Sequence, residues 1–175
     1  MNFLTGINQI KVPPQVEIFC RNLSKDELFA TIDLIFDYRP ISKTKIKKNL
    51  SSAKAIVISK INDTIIGTAT LKISNDIYSD NAFLKAESDF DFNDFSLELG
   101  YMVVSPNFRK LGIASKMVSL LCSNFEDQNI FAVTNVDNKG SIDLKLKIGF
   151  EPTGKEFKDR KSQNFLRLFI KRKIR

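Results

Sequence analysis

The chain has 175 residues, 43% of them hydrophobic, and a formal charge of +7. That length suits one domain, 1–175, with a core of its own, and the composition excludes a disordered chain. There is no histidine, which excludes the commonest general base, Ser-His and Cys-His nucleophile pairs and most zinc sites; no metal is expected.

No apolar run reaches the length of a membrane helix, and the opening MNFLTGINQI lacks the basic start and cleavage site of a signal peptide. A soluble, cytoplasmic protein without a membrane partner is therefore expected. Cys20 and Cys122 lie among apolar neighbours and are expected to be buried free thiols. The positive charge suits an anionic partner, although solubility alone explains it.

In chain order, VPPQVEIFCRNL predicts a strand after two prolines. SKDELFATIDLIFDYRP predicts a helix: Ser24 caps it and Glu27 completes a capping box. Leu28, Ile32, Ile35 and Phe36 share one face, and Pro40 ends the pattern. SKTKIKKNLSSA is a short basic helix or a turn. KAIVISKINDTIIGTATLKI reads as two strands joined through Asn62 and Asp63.

The composition then shifts. Between Asn75 and Phe95 lie six acidic residues and one lysine, a charge of −5 that leaves +12 on the rest of the chain. This acidic insertion, about 75–95, is a solvated loop or a substrate-facing one. SLELGYMVV is a strand, FRKLGIASKMVSLLCSNF a turn and helix, and NIFAVTNV a strand. NKGSIDLKLKIGF is a helix ending near Gly149, EPTG a turn, and NFLRLFIKR a final alternating strand. The order, antiparallel strands first and then strand-helix-strand-helix-strand, predicts an α+β or α/β fold, a mixed sheet with helices on both faces.

One turn carries chemistry. In VVSPNFRKLGIAS a strand ends at a proline and feeds a helix through a basic, glycine-containing turn. A helix start leaves amide N–H groups without partners, and the helix dipole adds positive potential there. A phosphate or diphosphate is the natural occupant. Gly112 lets the backbone approach it, and Arg109 and Lys110 add charge. The spacing is neither that of a Walker loop nor that of a dinucleotide fingerprint.

The chain resembles the GNAT superfamily of acyl-CoA N-acyltransferases. Their signature R/Q-x-x-G-x-G/A stands here as Arg109-Lys110-Leu111-Gly112-Ile113-Ala114, after the Val104-Ser105-Pro106 turn. A second signature stands as Asn138, Ser141, Leu144, Lys145, Lys147, Gly149 and Phe150, one helix and one strand later. The resemblance implies that amides from Arg109 through Ala114, with Ser115 nearby, hold the diphosphate of acetyl-CoA. Met102, Val103 and Val104 would offer backbone bonds to the pantetheine arm and an amide to the thioester carbonyl. Asn138 would lie beside the pantetheine or the thiol end, and Ser141, another hydroxyl of that helix, is a further cofactor-binding candidate. The reaction implied is transfer of an acyl group, most often acetyl, to an amine.

Amine acylation needs a base, and the resemblance places Glu98 at a position where several members carry a catalytic glutamate. A surface or salt-bridged Glu98 is the alternative. The family's tyrosine acid, seven positions after the asparagine, is replaced here by Lys145. A lysine at its ordinary pKa of about 10.4 donates poorly to a thiol of about 8.5, but its charge stabilises a thiolate. Otherwise Lys145 is a solvated surface lysine.

Three functions fit. The first is an acetyl-CoA-dependent N-acetyltransferase acting on a primary amine of a small molecule or peptide, with the acidic insertion attracting cationic acceptors if it folds over the acceptor side. The second transfers acetyl to aminoacyl-tRNA, with the basic tail IKRKIR touching phosphates. The third binds acyl-CoA without turnover. The C-terminal strand packs in the core or joins a homodimer.

Overall fold

The computed structural model describes residues 15–19, 23–39, 41–74, 76–159 and 163–174. Cys20 and Pro40 lie outside them. Strands β1 (Gln15–Phe19), β2 (Ala53–Ile61), β3 (Thr64–Ile73), β4 (Leu97–Val104), β5 (Ile130–Asn135), β6 (Glu151–Lys158) and β7 (Phe165–Lys171) form one sheet in the order β1-β2-β3-β4-β5-β7-β6. Every neighbouring pair is antiparallel except β4 and β5. Among the described residues, no helix is long and apolar enough to cross a membrane.

Helix α1 (Lys25–Tyr38) opens with the expected capping box: Glu27 N donates to Ser24 Oγ at 3.2 Å, and Ser24 N donates to Glu27 Oε2 at 3.0 Å. Ile32 and Ile35 are buried, whereas Phe36 is 45% exposed. The stripe is wider than the face that meets the sheet, and Lys43 Nζ lies 5.1 Å from the outer Phe36 ring. The basic segment is a helix, α2 (Lys43–Ser51), capped by Ser42 and fixed by burial of Ile46 and Leu50 one turn apart. Asn62, at φ 53°, turns β2 into β3.

Two expectations are corrected. The acidic segment is no open loop but a helix, α3 (Asp76–Ala86), followed by a 3-10 turn at Phe92–Asp94. Its phenylalanines account for this. Phe83 packs 5.2 Å from Phe95 and 5.5 Å from Phe131, between ring centroids, in a cluster with Phe157, Leu168 and Ile170. The charges at Glu87, Asp89, Asp91 and Asp94 stay outside. Second, EPTG begins a strand. β6 lies at the sheet edge, where Pro152 loses no ladder bond to a further strand. Gly154, at φ 61°, sits in a bulge between Thr153 and Phe157.

Helices α4 (Ile113–Ser123) and α5 (Lys139–Lys147) cover the other face. Ile113, Met117, Val118 and Leu121 of α4 pack on Val57, Leu71, Leu97 and Leu99 of the strands, with Ile142 and Leu144 of α5 against the same cluster. α1 and α2 pack on Ile56, Ile58, Tyr101 and Val103, on the opposite face. Helices thus cover both faces of the sheet, as the element order predicted.

Candidate active site

β4 and β5 pair only at Leu97–Ile130 and Glu98–Phe131, although both strands run on. The register of β3 on β4 explains the separation. Thr70 pairs with Gly100 and Thr68 with Val103, so Tyr101 and Met102 together oppose Ala69. This bulge, with Tyr101 at φ 45°, bends β4 away from β5.

A cleft of about 640 Å³ occupies the region where the strands part. Met102, Val103 and Val104 line one side; Asn138, Ser141 and Leu144 line the other. Arg109, Lys110, Gly112, Ile113, Ala114 and Ser115 form its basic end. Leu111 is absent from the lining and is 62% exposed.

Gly112 is the N-cap of α4, at φ 77° in the left-handed region, and no side chain caps the helix. The first helical bond runs from Lys116 N to Gly112 O at 3.0 Å. The amides of Ile113, Ala114 and Ser115 precede that bond and have no helical carbonyl to donate to. A Cβ at Gly112 would meet nothing within 4 Å. The turn therefore offers open space, free donors and the positive end of a helix, which suits a phosphate group. Arg109 is partly committed elsewhere: its Nε donates to Val104 O at 3.0 Å and its guanidinium lies 5.5 Å from the Tyr38 ring.

The second signature has a local structural job too. Asn138 Oδ1 accepts from Ser141 N at 3.1 Å and caps α5. At the far end Phe150 N donates to Lys145 O at 2.9 Å and Gly149 N to Leu146 O at 3.1 Å, with Gly149 at φ 86°. This Schellman ending delivers Phe150 into the core.

Lys145 is not a solvated lysine. It is 4% exposed, and its Nζ donates to Ser141 Oγ at 2.6 Å. Burial, and then the nearby Arg39 charge, push its pKa down to about 8. Lys145 does not itself line the cleft, but Ser141 and Leu144 beside it do.

Five residues of the cleft lining, Tyr38, Arg39, Phe108, Gly140 and Asp143, are not among those the sequence pointed to. Tyr38 and Arg39, at the end of α1, both line the cleft. Arg39 Nη2 donates to Met102 O at 3.3 Å, a contact spanning 63 residues of sequence that no local motif announces. Burial holds the Arg39 pKa below its ordinary value.

Glu98 lies elsewhere, in a second cleft of about 430 Å³ lined also by Lys45, Asn49, Lys72 and Tyr101. Glu98 and Tyr101 belong to the α2 side of β4, whereas Met102 and Val104 pack toward α4. Lys72 Nζ binds Glu98 Oε2 at 2.8 Å, and Tyr101 Oη accepts from Asn49 Nδ2 at 2.6 Å. Burial raises the Tyr101 pKa, Glu98 adds to this, and the Asn49 bond opposes it. Among the described residues, none of the acidic segment lines either cleft.

A mixed sheet that splits beside an uncapped, basic helix start is the architecture of an acyltransferase domain. The model of the acetyltransferase (GNAT) family matches residues 18–150, and the chain belongs to that family, whose members use acyl-CoA. The fold is shared with a GNAT-family acetyltransferase from Bacillus cereus ATCC 10987, at 21% identity and a TM-score of 0.66, covering 92% of this chain and 99% of that one. The ribosomal-protein-S18-alanine N-acetyltransferase of Escherichia coli is similar at 13% identity and a TM-score of 0.65, over 89% of this chain and 92% of that one. A chain of the NatC complex, bound there to Gag peptide and CoA, is similar at 18% identity and a TM-score of 0.69, over 92% and 99% of the two chains. Comparison with curated proteins returns no match.

Proposed function

We propose that the protein is an acetyl-CoA-dependent N-acetyltransferase acting on a primary amine of a small molecule or peptide. The observation that carries this reading is the larger cleft, which joins the parted strand β4 to the uncapped start of α4. The amides of Ile113, Ala114 and Ser115, with Arg109 and Lys110, receive the diphosphate. Met102 to Val104 run alongside the pantetheine arm. The carbonyls of Met102 and Val104 already accept from Arg39 and Arg109, and Val103 pairs with Thr68 of β3, so the amides of Met102 and Val104 are the groups left for the arm and the thioester oxygen.

Glu98 takes a proton from the acceptor ammonium after exchanging its Lys72 partner for the substrate. The neutral amine then attacks the thioester carbonyl, the nitrogen sheds its second proton to solvent, and the carbon–sulfur bond breaks. Lys145, with a pKa near 8, matches a thiol of about 8.5 and returns a proton to the leaving sulfur through Ser141 Oγ, which accepts from Lys145 Nζ and lines the cleft. Lysine thereby takes over a proton-donor role at the position where the family often has a tyrosine.

Titration with acetyl-CoA in a calorimeter, with Gly112→Glu alongside, tests the reading. Saturable binding that the variant loses supports it. A folded wild-type protein that binds no acetyl-CoA would sink it. A second reading, acyl-CoA binding without turnover, draws on the Lys72–Glu98 pair, which occupies the candidate base. Binding without acetylation of any amine in a broad panel would favour it.

A further inference from the structure

Arg39 and Lys145 are two cations beside the same cleft that lack an acidic partner. Arg39 is half-buried and lines the cleft, and among the described residues the one hydrogen bond of its guanidinium is to a neutral acceptor, Met102 O, at 3.3 Å. Lys145 is buried, and among the described residues its ammonium bonds only to Ser141, through Oγ at 2.6 Å and the backbone carbonyl at 3.5 Å. Among the described residues, no carboxylate pairs with either. Asp143 is the one acid in the lining and bonds neither cation.

Like charges brought out of water repel, and each loses hydration. Lys145 responds by giving up its proton more readily, in part because of Arg39. A guanidinium cannot do this and stays charged. Its planar fork, with one nitrogen on Met102 O, retains further N–H donors at the point where β4 bends. The missing counter-charge has a place to come from, because the cleft is open beside Arg39.

We propose that Arg39, supported by Lys145 and Ser141, is a carboxylate-binding subsite next to the reacting centre, so that one substrate of the transfer carries a carboxylate. The carboxylate belongs either to the acyl group, as in a dicarboxylic acyl thioester, or to the acceptor, as in an amino acid. This proposal rests on the acyl-CoA reading of the cleft. It differs from a polyamine or other purely cationic acceptor, which two unpaired cations would repel.

The test compares succinyl-CoA with acetyl-CoA by calorimetry, and L-amino acids with the corresponding L-amino-acid amides as acceptors of an acetyl group. A charge-assisted pair to Arg39 is expected to favour the carboxylate ligand by about tenfold or more in one of the two arms. A preference in the thioester arm assigns the carboxylate to the acyl chain; a preference in the acceptor arm assigns it to the amine. In Arg39→Met, and independently in Lys145→Met, that preference ratio should collapse toward one, with circular dichroism confirming that each variant is folded. Acetyl-CoA binding with no preference in either arm overturns the subsite alone. Failure of both thioesters to bind overturns the acyl-CoA reading and the subsite with it.

Discussion

Lys72 Nζ lies 2.8 Å from Glu98 Oε2, and the ladder sets the two residues directly opposite each other on β3 and β4. The same ammonium is 5.4 Å from the centre of the Tyr101 ring. Gly100 makes room for this, since a Cβ there would meet Lys72 Cε at 2.5 Å. A carboxylate and an aromatic face around one ammonium form the environment an amine substrate needs. Glu98→Gln is expected to lower kcat by about 10²–10⁴-fold if Glu98 is the base, with acceptor KM changing far less. Steady-state kinetics over a range of acceptor concentrations decide it. A fall confined to KM would reduce Glu98 to a binding group.

In the larger cleft, Gly112→Ala and Gly112→Glu separate backbone strain from charge. Both place a side chain at φ 77°, at a cost of about 1–2 kcal/mol, and neither meets a neighbouring atom at Cβ. Thermal melting should therefore show similar losses for the two variants. Acetyl-CoA affinity should fall by about a hundredfold or more only in Gly112→Glu, whose carboxylate faces the diphosphate position. Equal affinity losses would place the diphosphate elsewhere.

Lys145 links the site to stability. Its folded-state pKa of about 8 lies below the ordinary lysine value of 10.5, so the unfolded chain binds its proton more readily. Stability from this group is therefore lowest below about pH 8 and rises as pH climbs from about 8 toward 10.5. The gap corresponds to about 3 kcal/mol. Lys145→Met removes the buried charge and the bond to Ser141. Urea unfolding at pH 7 should show a gain of about 2 kcal/mol, shrinking by pH 9.5. A variant that is less stable at pH 7 would show that Lys145 is well accommodated as a cation.

Activity should report the same proton. With Lys145 as the acid, kcat falls above a pH of about 8, and Lys145→Met lowers the plateau by about 10²-fold and removes that limb. A pH–rate profile that keeps its alkaline limb in the variant would assign the limb to another group.

The acidic segment is expected to act through packing. Phe95 is fully buried beside Phe83, and Phe95→Ala should cost about 3–5 kcal/mol in chemical unfolding. Gly154 lets β6 approach the end of α3, because a Cβ there would meet Ala86 O at 2.1 Å. Neutralising Glu87, Asp89, Asp91 and Asp94 together should leave acceptor KM within about twofold, since none of them lines either cleft. A much larger rise in KM would restore a substrate-facing role.

Much of the architecture was determined by local sequence. Ser24 and Glu27 fixed a helix start because a capping box needs only residues three apart. Gly112 marked the turn into α4 and Gly149 a helix end, since both positions require a left-handed backbone. The acidic segment misled because charge dominates its composition, whereas the phenylalanines that order it meet Phe131 and Phe157 only in three dimensions. Tertiary structure alone decided that a bulge at Tyr101 parts β4 from β5, that Arg39 reaches Met102, and that Lys72 occupies Glu98. It also decided the state of Lys145, whose burial and whose nearness to Arg39 are consequences of packing that no spacing in the sequence encodes.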